Sequence, residues 1–440
     1  MLEFPCHHLL GPGCCTLLLV SCGYALQPLP SCDGTPNLSP LLTPTVTPLS
    51  SVPNGDSYLL ANDTTNYVYL AKVRGTAYEM GYAQGQLFKD ELQQQILNLE
   101  AIYPENVRDA LDTFGIPKSV VQMMPDWLVT QVGKVLLDVN WIVASQWIPQ
   151  RYADEMRGIA DASGIAYERI RRANLLPELI QAHCTVLGAW GNATSDGKLY
   201  HLRALDWDAF APINQYPIIV IYEPSEEGSQ VFANINYLGW IGTLTSISKI
   251  GISVGEKVML PRVGSSDYPI WPTVTYFGKP WQFTLRDTIQ FATSLADVSS
   301  ILTATHRTMR IHGGWGSAPD HSFRGMNFAS NFVELFDDKN YTHNNEVSHP
   351  QMDGVFYFDK HVQPSGDQCL KNIITPFYES GSINEETMYR DIVGGHQTGD
   401  NMYVVMKPET GEIWMASSEY GKPVKAYQRS PIYINLSNFW

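Results

Sequence analysis

A cysteine, an arginine and an aspartate form the most specific chemical pattern in this 440-residue chain. Cys184 opens the run Cys184-Thr185-Val186-Leu187-Gly188-Ala189-Trp190, and Arg203-Ala204-Leu205-Asp206-Trp207 closes the run after it. A thiolate is a strong nucleophile, but a free thiol titrates at about 8.5, so it needs a base and a nearby cation. If Cys184 becomes a chain terminus, its own α-amine, titrating at about 8, takes the thiol proton. Nucleophile and base then share one residue, and no catalytic histidine is required. Arg203 would favour the thiolate and grip a substrate carbonyl or carboxylate. Asp206 would orient the α-ammonium, as the third member of a triad orients its base. Cys184 lies mid-chain, so this chemistry requires the chain to cut itself between His183 and Cys184. The thiol attacks the His183 carbonyl, a thioester forms, and water opens it. The alternative for such a cysteine standing alone is an inert buried thiol on a strand.

The elements that must hold these residues read as a hairpin. Two β-capable runs flank the connection Gly191-Asn192-Ala193-Thr194-Ser195-Asp196-Gly197-Lys198. On a regular strand positions 203 and 206 face opposite ways, so a bulge or a strand end near Leu205 is expected. Upstream, residues 26–56 are rich in Pro, Ser and Thr and read as a linker or wrapped tail. Asn66 to Val73 reads as a strand, and Tyr78 to about Glu178 as helices, with Ser163-Gly164 as a C-cap and Gln93 to Gln95 on a solvated face. From Cys184 onward the period becomes that of strands: Pro217–Tyr222, Val231–Trp240, Ile247–Val254, Ser330–Phe336, Gly354–Asp359 and a terminal hairpin over Asn401–Ser417. Leu285 to Ala304 is helical. This order implies an α+β fold of two packed antiparallel sheets with helices outside. The expected division is a leader over 1–25, a linker over 26–56, a mostly helical segment over 57–183 and a sheet-rich segment over 184–440.

Cys184-Thr185, the Gly-rich hairpin and Arg203-x-x-Asp206-Trp207 resemble the cysteine branch of the N-terminal-nucleophile (Ntn) hydrolases. Bile salt hydrolases, penicillin V acylases, penicillin acyltransferases and acid ceramidase form that branch. Arg203 follows Cys184 by 19 residues, slightly further than is usual there. Ser248-Lys249-Ile250-Gly251-Ile252-Ser253 resembles the family's N-x-x-G-L segment with Ser in place of Asn. Gly75-Thr76-Ala77-Tyr78-Glu79-Met80-Gly81-Tyr82-Ala83-Gln84-Gly85 is similar to the N-terminal segment of acyltransferase- and ceramidase-like members. The resemblance runs from about Tyr67 to the end. It implies an αββα sandwich, a thioester on Cys184 and an oxyanion donor from an Asn side chain; Asn344 and Asn345 stand in a segment like the one that supplies it. Glu256 reads as structural, and Ser348 to Gly354 resembles a pocket loop of the ceramidase-like relatives.

Composition and targeting signals bound the remaining possibilities. Formal charge is −15, which disfavours nucleic acid and anionic membrane surfaces as partners. Residues 1–25 resemble a secretory signal with an apolar run too short to span a bilayer, although the segment lacks Lys and Arg before that run; a buried helix is the alternative. Sequons at Asn37, Asn62, Asn192, Asn340 and Asn435 agree with secretion, the last four being the expected glycosylation sites. Cys6, Cys14, Cys15 and Cys22 would leave with the leader. An odd remainder suggests one pair and one free thiol: Cys32 with Cys369, tying the two fragments as the acid ceramidase layout implies, and Cys184 free. Three unpaired thiols are the alternative. His343, His349, His361 and His396 lack zinc-site spacing, and no Walker, dinucleotide or G-x-S-x-G motif occurs, so neither metal nor cofactor is expected. The flanks of Cys184 do not fit papain-type chemistry.

The expected protein is a secreted or lysosome-like Ntn amidase or acyltransferase. It would act on a linear amide, an N-acyl lipid or N-acyl amino acid, with the fragments of the cut chain staying associated. Trp207, Phe210, Tyr237, Trp240 and Trp315 are candidates to line an acyl pocket or to fill the core. A phospholipase B-like hydrolase and an inactive binding protein on the same scaffold are the alternatives.

Overall fold

A computed structural model describes residues 32–113, 116–179, 183–259, 275–341, 345–363 and 365–440, and Cys32–Trp440 forms one compact unit. The leader, His343 and Asn344 lie outside the described residues.

Three strands come first: β1 (Thr45–Val52), β2 (Gly55–Ala61) and β3 (Tyr67–Gly75). The first falls wholly within the stretch whose composition reads as linker, and the second begins at its end. β1 is exposed along nearly all its length, carries Pro48 at a register shift and pairs only with β2, the edge placement a proline-bearing strand requires. Residues 32–44 before it do run along the surface, with Leu42 bridging Ile432.

Seven helices follow: α1 (Ala77–Leu87), α2 (Lys89–Ala101), α3 (Tyr103–Thr113), α4 (Lys118–Met123), α5 (Asp126–Ala144), α6 (Gln150–Ser163) and α7 (Tyr167–Leu175). Thr76 and Glu79 close a capping box at the start of α1. A Cβ on Gly81 would stand 2.0 Å from the Glu155 carbonyl oxygen of α6, so the small-residue spacing in this segment lets two backbones touch. Gly164 caps α6 in the left-handed conformation, as expected. Gln95, expected on a wet face, is buried, and its Nε2 donates to the Ile213 carbonyl at 3.1 Å.

The downstream part supplies β4 (His183–Ala189), β5 (Tyr200–Asp206), β6 (Pro217–Pro224), β7 (Phe232–Tyr237), β8 (Thr245–Ser248) and β9 (Ile252–Val258). After α8 (Trp281–Phe291) and α9 (Leu295–Ala304) come β10 (Ile311–Ser317), β11 (Ser322–Phe328), β12 (Val333–Phe336) and β13 (Val355–Phe358). α10 (Cys369–Glu379), β14 (Met402–Lys407), β15 (Glu412–Ser417) and β16 (Ile432–Asn435) complete the chain. One sheet has the order β1-β2-β3-β6-β7-β8-β9-β10-β11-β12 and the other β13-β4-β5-β14-β15-β16. Every pairing is antiparallel except β3 with β6. The sheets stack face to face: Val186, Phe323, Phe336, Phe356 and Phe358 cluster between them. α1, α8 and α9 cover the larger sheet, and α10 packs on the outer face of the smaller. This is the two-sheet α+β sandwich expected from the strand and helix order.

Candidate active site

The Cys184 hairpin lies at the centre of the smaller sheet. β4 and β5 pair without a break from His183–Asp206 to Ala189–Tyr200, and Gly191 and Gly197 turn the connection at φ of 60° and 74°. Of the bulge or strand end expected near Leu205, the structure has the strand end: β5 stops at Asp206 with no bulge before it. Arg203 and Asp206 serve opposite faces of an unbroken strand, with Asp206 at its end.

On the inner face, Cys184 is fully buried and Arg203 is 1% exposed. The Arg203 Nη2 donates to Cys184 Sγ at 3.6 Å and to a Glu256 carboxylate oxygen, and its Nε donates to the Glu256 carbonyl at 3.4 Å. A Cβ on Gly255 would stand 2.8 Å from Arg203 Cγ, so the missing side chain lets the guanidinium stem lie against β9. Glu256, read as structural, is the buried counter-ion of Arg203. Burial pushes the Cys184 thiol up to about 12; Glu256 adds to the rise, and Arg203 and Lys257 oppose it. In the intact chain the sulfur is thus a neutral thiol.

On the outer face, Asp206 sits in a donor cage. Thr398 Oγ1 donates to Oδ2 at 2.6 Å, and the Gly399 and Asp400 amides donate to Oδ1 at 2.6 and 3.3 Å. Thr185 Oγ1 lies 2.7 Å from Thr398 Oγ1 and so links β4 to the same cage. Burial raises the Asp206 carboxyl to about 6, although Thr398 and Gly399 pull it down. Asp206 pairs across the ladder with His183, the residue before the expected scissile bond. The exposed His183 ring donates through Nδ1 to the Lys360 carbonyl at 3.0 Å.

His183, Asp206, Trp207, Phe210, Lys360 and Lys425 line part of a cleft of about 700 Å³. Leu205, Trp207, Trp240, Glu256 and Trp281 line an adjoining apolar pocket of about 30 Å³. Of the aromatic candidates, Trp207, Phe210 and Trp240 border these spaces. Trp315 is core instead, its Nε1 bonded to Thr288, and the buried Tyr237 hydroxyl donates to Asn401. Asn345 spends its side-chain oxygen on its own turn, accepting from the Val347 and Ser348 amides and from Ser348 Oγ. Cys32 and Cys369 are disulfide-bonded and Cys184 is free, as expected. Asn62, Asn192 and Asn340 are exposed and Asn435 partly so, whereas Asn37 is buried with its amide donating to the Arg429 carbonyl. Lys257, buried beside Cys184, escapes sequence reasoning because a lysine on a strand passes for a solvent-facing one. The charge alternation Glu256-Lys257 in an otherwise uncharged strand is the available signal.

No family model matches the sequence. The protein dcd1A of Dictyostelium discoideum is 30% identical over 431 residues, covering 93% of this chain and 94% of that protein. Protein dcd1B of the same organism is 30% identical over 358 residues, 80% of this chain and 68% of its own. The chain belongs to the dcd1 family. Rat acid ceramidase is 28% identical over 180 residues, 37% of this chain and 43% of the ceramidase. The Caenorhabditis elegans N-acylethanolamine-hydrolyzing acid amidase ortholog superposes with a TM-score of 0.37 at 14% identity, over 57% of this chain and 100% of that one. A mutant of the conjugated bile acid hydrolase from Clostridium perfringens gives 0.36 at 10%, over 58% and 93%. Superpositions that loose carry no weight of their own. The partial acid ceramidase alignment, the two-sheet layering and the Cys184–Arg203 contact are each in keeping with the resemblance to cysteine Ntn hydrolases drawn from the sequence. No helix among the described residues is long and apolar enough to cross a membrane.

Proposed function

We propose that this dcd1-family protein is a cysteine Ntn amidohydrolase or acyltransferase that matures by cutting itself between His183 and Cys184. The observation that carries the reading is Cys184 itself: the first buried residue of β4, its sulfur in contact with a guanidinium, with the preceding residue facing an open cleft. After the cut, the Cys184 nitrogen becomes an amine close to the Asp206 strand end, which supplies the orienting carboxylate. Arg203 steadies the thiolate, and the thiol forms a thioester with a linear acyl group. The apolar pocket beside Leu205 and the similarity to acid ceramidase favour an N-acyl lipid or N-acyl amino acid. Asn344 or Asn345 remains the proposed oxyanion donor. The ladder of β3 to β6 supports reading the segment before the cut as a retained light subunit rather than a discarded propeptide. A secreted or lysosomal location fits the disulfide and the leader-like segment.

N-terminal sequencing of the mature protein tests the reading. A new terminus at Cys184, absent from Cys184→Ala, supports it; a fully active intact chain refutes it. Release of fatty acid from N-acyl amides in preference to lipid esters separates it from a phospholipase B-like activity.

A further inference from the structure

Lys257 poses a physical problem. It is 1% exposed, on β9, and the only described hydrogen bond of its side chain runs from Nζ to the Lys360 carbonyl at 3.3 Å. Among the described residues no carboxylate lies within ion-pair distance of it, whereas Arg203 beside it is already paired with Glu256. A buried ammonium with one long hydrogen bond is costly unless an anion compensates it. Two residues from Gly255, which packs on Arg203, Lys257 stands on the same face of β9, toward β4 and β5. The carbonyl it shares with His183 Nδ1 brings the ammonium next to the residue whose backbone is to be cut.

Building on the self-cleavage reading, we infer that Lys257 is the counter-ion of the Cys184 thiolate during maturation, a positioning cation distinct from Arg203. The Arg203–Glu256 pair is close to neutral as a unit, so it offers the sulfur little net charge. Lys257 supplies that charge. The charged and titratable groups around it are Cys184, Asp359, Asp206 and Glu256, with Cys184 exerting the largest influence among them, together with Arg203, His183 and His396, while burial pushes the ammonium down. In the step it serves, the Cys184 S–H proton leaves and the thiolate forms a bond to the His183 carbonyl carbon. The C–N bond to Cys184 then breaks, and the nitrogen takes up the proton given up by the thiol to become the α-amine. Water finally opens the thioester, leaving the His183 carboxylate and a free thiol.

The test follows conversion of intact chain to two fragments on reducing gels between pH 4 and 9, for wild type, Lys257→Met, Lys257→Arg and Glu256→Gln. Lys257→Met slows conversion at neutral pH about tenfold or more and moves its pH profile about one unit upward, the change that removing one near charge makes in a thiol. Lys257→Arg keeps the charge and stays within about threefold of wild type. Glu256→Gln moves the profile downward, because it removes a negative charge from beside the sulfur. Lys257→Met at the wild-type rate overturns the inference, as does Lys257→Arg as slow as the methionine variant. Should Lys257→Met fail to reach the wild-type melting temperature, the arginine and glutamine profiles decide alone. A wild-type chain that never splits overturns the maturation reading as well, whereas a splitting wild type with an indifferent Lys257→Met overturns the inference only.

Discussion

Arg286→Met tests whether the segment before the proposed cut is an integral part of the enzyme. Arg286 of α8 grips Glu155 of α6 with Nη2–Oε2 at 2.8 Å and Nη1–Oε1 at 3.0 Å. Its Nη1 also donates to the Ile241 carbonyl at 2.6 Å, and its guanidinium stands 4.1 Å from the Tyr222 ring centroid. Both side chains are almost fully buried, at 1% and 3% exposure. Methionine fills the volume but leaves Glu155 without its cation, which costs about 3–5 kcal/mol. Glu155 lies upstream of residue 183 and Arg286 downstream, so in the cut protein the same loss weakens fragment association roughly a thousandfold. Burial already raises the Glu155 carboxyl against the pull of Arg286. A raised carboxyl favours the fold below its unfolded value and loses that contribution as pH climbs through the folded value. Without Arg286 the folded value climbs further, so the variant's deficit is largest at neutral and alkaline pH and shrinks in acid as Glu155 takes up a proton. Urea unfolding of the intact Cys184→Ala chain, with and without Arg286→Met, at pH 5 and 8 measures it, and Glu155→Leu/Arg286→Met should regain most of the loss. A single variant costing less than about 1 kcal/mol at pH 8, or costing more at pH 5, would refute the reasoning.

Four further outcomes follow from the same geometry. Cys184→Ala abolishes both self-cleavage and acyl release while the melting temperature stays near wild type, read by reducing gel and calorimetry. Thr398→Val removes the hydroxyl that pulls the Asp206 carboxyl down, so the acidic limb of the turnover–pH profile moves upward from its wild-type position. Wild-type stability declines as pH rises between about 4 and 6, where Asp206 ionises inside the fold at a cost of order 3 kcal/mol; Asp206→Asn flattens that decline in a denaturation series. On a non-reducing gel the cut protein runs as one band and on a reducing gel as two, because Cys32 and Cys369 lie on either side of the cut.

The Cys184 hairpin and the two-sheet order are readable in the sequence because residues on those strands alternate cleanly or form unbroken apolar runs. Other elements are hidden for identifiable reasons. β10 contains Gly313, Gly314 and Gly316, so its strand period is blank. Packing demands two of these absences: Trp315 folds over Gly313, and Phe323 and Val186 fill the space beside Gly314. β1 carries a proline and an exposed face, which makes it read as linker. Ile247–Val254 reads as one strand, but Gly251, at φ of 91°, turns the chain between β8 and β9. At the site, Arg203 is legible from its spacing, and Glu256 is recognised without its partner. The Asp206 cage is not legible, because Thr398, Gly399 and Asp400 lie almost two hundred residues away and contribute mostly backbone amides, which no residue type announces.

The parallel ladder between β3 and β6 also governs how the protein can be made. A gene fragment encoding only 184–440 would leave the β6 edge bare, an eight-residue run whose first six residues are buried in the whole chain. Unpaired apolar edges recruit other chains, so that fragment should precipitate. Production should therefore start from the uncut polypeptide, so that the proposed internal nick follows folding.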